Sequence, residues 1–221
     1  MQDTFSWVGY YCGRYHDGLA GELQNSLSNV AFLIAAALGF LIWRARPERD
    51  RSQLVLIALV ALIGMGSFTF HSHPNQATLQ IDLIPIQVFG LASLFYLARR
   101  EFDMPAWKAI LVIIAFFVVR EAWGMIVPRG ALGGGVSHIP TILLLIGTGS
   151  WLVYRSRRIG VYLLTAAGLY CVALFARTVD VAACSSIPFG FHWLWHLATG
   201  SVAGVVLIGI VKHTESAPTK P

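Results

Sequence analysis

Charge is what this 221-residue sequence has least of: Asp, Glu, Lys and Arg make up 12% of it, against 56% hydrophobic residues. Soluble domains carry roughly 25% charged residues. A chain with so few cannot cover a water-facing surface, so lipid is its expected solvent. Polar stretches long enough for a soluble domain are missing too. There is no early apolar h-region, since Asp3, Arg14, Asp17 and Glu22 fall within the first 28 residues. That argues against a cleavable signal peptide and leaves the first hydrophobic helix as the targeting signal. Linkers, low-complexity tracts and internal repeats are lacking. The net charge of +5 would suit nucleic acid, but the basic residues sit in short clusters between apolar runs. Such clusters report topology rather than a phosphate-tracking stripe, so no nucleic-acid partner is expected. The glycine-rich run from Gly130 to Val136 lacks the Lys and Ser/Thr of a phosphate-binding loop and reads as a flexible connection.

What is abundant is apolar sequence in runs long enough to cross about 30 Å of hydrocarbon. Seven are expected, near 26–44, 53–72, 79–98, 107–127, 137–154, 159–178 and 190–211. The fold class is therefore an all-α membrane protein, a seven-helix transmembrane bundle over residues 1–213 with a short disordered tail at 214–221. Arg44, Arg46, Arg49, Arg51, Arg99, Arg100, Lys108, Arg155, Arg157, Arg158, Lys212 and Lys220 fall on one side, and only Arg14, Arg129 and Arg177 on the other. The positive-inside rule then puts the N-terminus outside and the C-terminus in the cytoplasm.

Ionisable residues inside a membrane are costly and mark function by default. Ser67 and His71 end the second span, Asp82 lies about one turn into the third, and His192 and His196 open the seventh. At 1.5 Å rise per residue all five fall within roughly two turns of the outer face. His192 and His196, four apart, share one helix face and can reach one metal. A catalytic zinc commonly takes three protein ligands and keeps a position for water; His71 is the natural third. Ser67, four residues earlier, faces the same way, and Asp82 is placed to take a proton from that water. Each residue alone has a plainer reading. The histidine pair flanked by Trp193 and Trp195 suits an interfacial aromatic belt, His73 competes with His71, and Asp82 suits a helix cap. Their common depth on three segments favours the metal.

These residues also resemble a known family. Gly66-Ser67-Phe68-Thr69-Phe70-His71, followed by Asp82-Leu83-Ile84-Pro85-Ile86, is similar to the S-x-x-x-H and D-E-L-P-M signature of the alkaline ceramidases. His192-Trp193-Leu194-Trp195-His196 resembles that family's final-helix element, and the row Glu22, Asn25, Ser28, Asn29 its E-x-x-N-x-x-S-N opening. The wider group of seven-helix zinc hydrolases includes adiponectin-type receptors. The resemblance implies zinc on His71, His192 and His196, Asp82 acting on the water, and Ser67 stabilising the oxyanion. In eukaryotic relatives an acidic N-terminal segment binds calcium as well. Here it reads Tyr10-Tyr11-Cys12-Gly13-Arg14, with Gly13 where an acid is expected. Glu22 is the remaining candidate calcium ligand, and with Asp3 and Asp17 it is a thin supply for an ion that takes six to eight oxygens.

The expected function is zinc-dependent hydrolysis of the amide bond of a ceramide-like lipid, to a fatty acid and a sphingoid base. The alternatives are a zinc-containing receptor that only binds lipid and a hydrolase acting on an ester. Topology puts Cys12 and Cys184 on the outer side, where disulfides are permitted. The resemblance implies that they pair; two unpaired thiols are the alternative, and Cys171 inside the sixth span is expected to be free. Arg120 and Glu121 read as an ion pair, Arg177 and Asp180 as another, and His138 as a residue behind the ligands.

Overall fold

The computed structural model describes residues 11–14, 18–128 and 130–213. The expected tail, 214–221, lies outside them, as do Asp3, Tyr10, Asp17 and Arg129. The elements are α1 (Leu23–Ser28), α2 (Val30–Ala45), α3 (Gln53–Ser72), α4 (Gln76–Arg100), α5 (Ala106–Ile126), α6 (Ile139–Tyr154), α7 (Ile159–Ala183) and α8 (His192–His213). Short 3₁₀ turns precede α1 at Leu19–Glu22 and α6 at Ala131–His138. With the first turn, α1 and α2 counted as one span, seven helices are long and apolar enough to cross a membrane.

The observed helices agree with the expected spans to within a few residues, and the differences have local causes. Helix α4 starts at Gln76, where the Asn75 side chain accepts from the Thr78 amide and the Thr78 side chain accepts from the Asn75 amide. This capping box starts the helix before the apolar run does. Helix α7 continues to Ala183 because Asp180, polar enough to end the apolar run, is buried and hydrogen-bonded rather than solvated. The glycine-rich connection forms 3₁₀ turns broken by left-handed Leu132, Gly133 and Gly134. Gly133 is needed there: its φ is +60°, and a Cβ would sit 3.3 Å from the Thr178 Cα.

In lipid no hydrophobic force draws helices together, so close packing and small residues must. A Cβ on Gly200 or Gly204 would come within 2.8 Å of the Ala31 Cβ or 2.9 Å of the Ala35 Cβ. These residues form a small-residue seam between the last helix and α2. Helix α8 also packs on α7, α3 on α4, and α6 on α7, whereas α5 lies at the rim with only Ala109 buried. The first span is turned inside out relative to a soluble helix. Glu22, Asn25, Ser26, Ser28 and Asn29 are buried, while Leu19, Leu23, Leu27 and Val30 are exposed.

Every basic loop cluster of the topology falls at one end of the bundle, the arginine end. There Asp50 accepts from Arg100 at 2.6 Å and from the Tyr96 hydroxyl at 3.0 Å. Partial burial would raise the Asp50 pKa. Bonds from Ser52 and Tyr96 and the Arg100 charge outweigh it and hold the carboxyl below its ordinary value. Cys171 is a free thiol exposed on the outside of α7.

Candidate metal centre

At the opposite end, the last turn of α3 and the first two turns of α8 bring three imidazoles together. His71, His192 and His196 are all buried, and one ligand atom from each lies within 4.8 Å of the others. Their ring centroids are 4.5 Å (His71–His196), 4.6 Å (His192–His196) and 5.2 Å (His71–His192) apart. Tyr11 stacks on His192 with centroids 3.8 Å apart. His192 Nδ1 is buried without a hydrogen-bond partner. Three imidazoles packed face to edge with an orphaned nitrogen would be costly as bare polar groups, whereas a divalent cation between them would use their lone pairs. The set therefore fits a metal of zinc's preferences. No fourth His, Cys, Asp or Glu joins it among the described residues. His73, exposed at the end of α3, is not part of it.

The first span backs the ligands from behind. Glu22 Oε1 lies 3.0 Å from His71 Nδ1. The same carboxylate accepts from Arg14 Nε at 2.6 Å and from Asn25 Nδ2 at 2.7 Å. Ser28 Oγ lies 2.9 Å from His196 Nδ1. Because these partners engage Nδ1 of His71 and of His196, Nε2 of each is the nitrogen left for a metal. Glu22, Asn25 and Ser28 are spaced by three along the chain, so helical geometry puts them on one inward row.

Asp180 sets where α8 begins. Its Oδ1 accepts from the backbone amides of Phe191 (2.8 Å) and His192 (2.9 Å), and its Oδ2 from that of Cys12 (3.1 Å). A carboxylate at a helix N-terminus suits the orphan amides and the dipole there. Gly190, at φ +55°, lets the chain pass between Asp180 and Cys12. Cys12 and Cys184 are joined by a disulfide, with 5.5 Å between their Cα atoms.

Asp82 and Ser67 lie beside the ligands on facing helices. Both residues are buried, Ser67 on α3 and Asp82 on α4 where the two helices pack together. Gly66 makes this contact possible, because its bare Cα packs against the carbonyl of Ile81 and lies where a Cβ would be 3.4 Å from the Asp82 Cα. Pro85, one turn on, has no N–H to give that Ile81 carbonyl.

Other expectations come out differently. Arg177 does not pair with Asp180, whose oxygens are taken by three backbone amides. Its guanidinium instead lies over Tyr11 at 5.6 Å and over Trp195 at 5.4 Å. His138 packs against Trp195, ring centroids 4.8 Å apart, and bonds the Tyr170 hydroxyl at 2.8 Å. Arg120 and Glu121 do pair, at 3.0 Å, on the lipid-facing rim. Sequence reasoning missed Tyr11, Arg14 and the roles of Asn25 and Ser28. The three-residue spacing of the inward row was the available signal for the last two; Tyr11 and Arg14 lie outside any helix and carry none.

Between the first span and α8 an open apolar groove of about 540 Å³ is lined by Gln24, Leu27, Ser28, Phe189, Trp193 and Leu197. Ser28 both lines this groove and touches His196, so one residue separates the groove from a ligand of the centre. No curated protein matches the chain. The family model described as Ceramidase matches residues 15–220.

Proposed function

Since the chain belongs to the ceramidase family, we propose that it is a zinc-dependent membrane hydrolase that splits the amide of a ceramide-like lipid into a fatty acid and a sphingoid base. The observation that carries the reading is a three-histidine set that no fourth His, Cys, Asp or Glu joins among the described residues, beside buried Ser67 and Asp82 on two packed helices. A structural zinc is closed by four ligands and has no use for a base or an oxyanion donor.

His71, His192 and His196 would hold the metal, which supplies a Lewis acid that polarises the carbonyl and acidifies water. Asp82 then takes the proton of the attacking water and passes it to the leaving amine. Ser67 donates to the oxygen that gains charge as the carbonyl carbon becomes tetrahedral. The apolar groove by Leu27 and Leu197 accepts an acyl chain from the bilayer, with the amide toward the histidines. The arginine end faces the cytoplasm and the histidine end the other side, by the distribution of Arg and Lys.

The test is lipid turnover by the purified protein, with and without a zinc chelator, on a ceramide and on an ester of matched chain lengths. Chelator-sensitive release of fatty acid from the ceramide is expected. Preference for the ester would move the reading to a lipid esterase, and zinc binding without turnover of either would make it a receptor.

A further inference from the structure

Glu22 is a carboxylate only 2% exposed in a membrane-spanning segment, where an unpaired charge costs several kcal/mol. Its surroundings consist of donors. Oε2 faces the guanidinium of Arg14, which is equally buried, and Oε1 faces the Asn25 amide and the His71 ring. The Arg14 guanidinium is held in turn over Phe70 at 5.1 Å and Tyr11 at 5.2 Å, with Nη2 3.5 Å from His71 Nδ1. A second divalent cation at Glu22 would need six to eight oxygens and would meet a fixed positive charge instead.

We propose that Glu22 is a positioning residue for the metal ligand His71, and that Arg14 is the built-in cation that holds it there in place of a second metal ion. The carboxylate keeps the proton on His71 Nδ1, which fixes the ring's orientation and leaves Nε2 for the metal; such outer partners are worth about 10–100-fold in metal affinity. Arg14 cancels the charge of Glu22 and occupies its second oxygen, so the carboxylate cannot swing away to another cation. The inference rests on the metal reading of the three histidines.

It is tested on the full-length protein in detergent, by competing a chromogenic chelator for zinc and by following the unfolding temperature with and without zinc and calcium. Glu22→Gln, and Glu22→Asp as the variant that keeps the charge but shortens its reach, should bind zinc about 10–100-fold more weakly. Arg14→Met should do the same. The zinc-free unfolding temperature separates this from a merely structural loss, because a positioning role predicts that the zinc-induced rise shrinks by more than the zinc-free value falls. The unaltered protein should show the same unfolding temperature in millimolar calcium and in a calcium-selective chelator. Wild-type zinc affinity in Glu22→Asp, or a calcium-induced stabilisation of the unaltered protein, would overturn the proposal while leaving the metal reading intact. Failure of the unaltered protein to bind zinc at all would sink both.

Discussion

Ser28 Oγ stands 2.9 Å from His196 Nδ1 and thereby ties the first span to a ligand on the last. The hydroxyl hydrogen goes to the Asn25 carbonyl, 2.9 Å away, so the serine oxygen accepts from the imidazole. Ser28→Ala is expected to weaken zinc binding by about tenfold, at the low end for such a partner, with hydrolysis nearly restored at saturating zinc. Chelator competition on the purified variant checks it; unchanged affinity would mean that packing alone holds His196.

Asp82→Asn keeps the shape of the site and removes the proton acceptor. Zinc content should stay near one per chain while the turnover number falls by about 10²-fold or more, the scale of general-base loss. Ser67→Ala should also keep its metal and lose about 10²-fold as an oxyanion donor. Metal analysis and kinetics on the same samples decide the matter, and full turnover in both variants would end the proposed mechanism.

Gly66→Ala pushes a methyl group into the α4 backbone at Ile81. The helices must part, at about 1–3 kcal/mol for an overpacked contact, and Ser67 and Asp82 separate with them. A lowered unfolding temperature together with lost turnover is expected. Gly90→Ala is the control: its added Cβ meets nothing within 4 Å, and the better helix former should leave stability equal or slightly higher.

Thiol titration under denaturing, non-reducing conditions should find one reactive thiol per chain, that of Cys171. Cys12→Ser with Cys184→Ser opens a loop of 172 residues in sequence separation. Chain entropy assigns such a closure about 5 kcal/mol as an upper figure, so a clear fall in unfolding temperature is expected. Three reactive thiols in the unaltered protein would contradict the bridge.

Asp50 carries the pH prediction. Its folded pKa lies below the unfolded value, so its contribution is present above the unfolded pKa and is lost as pH falls through the folded one. Asp50→Asn should therefore be less stable than the unaltered protein at neutral pH. The gap between their unfolding midpoints should begin to narrow near the ordinary Asp pKa of about 3.8 and close only as the pH falls through the lower folded value. A gap that persists unchanged in acid would assign the effect to packing rather than charge.

The spans and the three histidines were legible because each rests on a short-range rule: apolar length for the first, a four-residue helical repeat and common depth for the second. The carboxylate partner of His71 was not. Glu22 was visible only as a candidate calcium ligand, and the charge that answers it comes from Arg14, eight residues away along a segment with no periodicity. Asp180 misled for a related reason. Its neighbour in sequence, Arg177, looked like a partner, whereas three backbone amides from two distant segments reach it first. Local pattern predicts where a polar residue sits in the bilayer; it does not predict which of several donors arrives there through the folding of distant chain.

The inward row on the first span also imposes an order on how the protein is made. Ribosomal synthesis delivers that span to the membrane first, yet the surface that covers it, α8 with His196, Gly200 and Gly204, is delivered last. Until then Asn25, Ser28 and Asn29 must be sheltered by water, by α3 or by an insertion factor, because lipid offers them no bonds. A nascent chain interrupted before His192 would hold six inserted spans and one of the three ligands, with a polar stripe open to the bilayer. The centre therefore cannot assemble before the seventh span is in place, because two of its three histidines and the cover of the polar row arrive with that span.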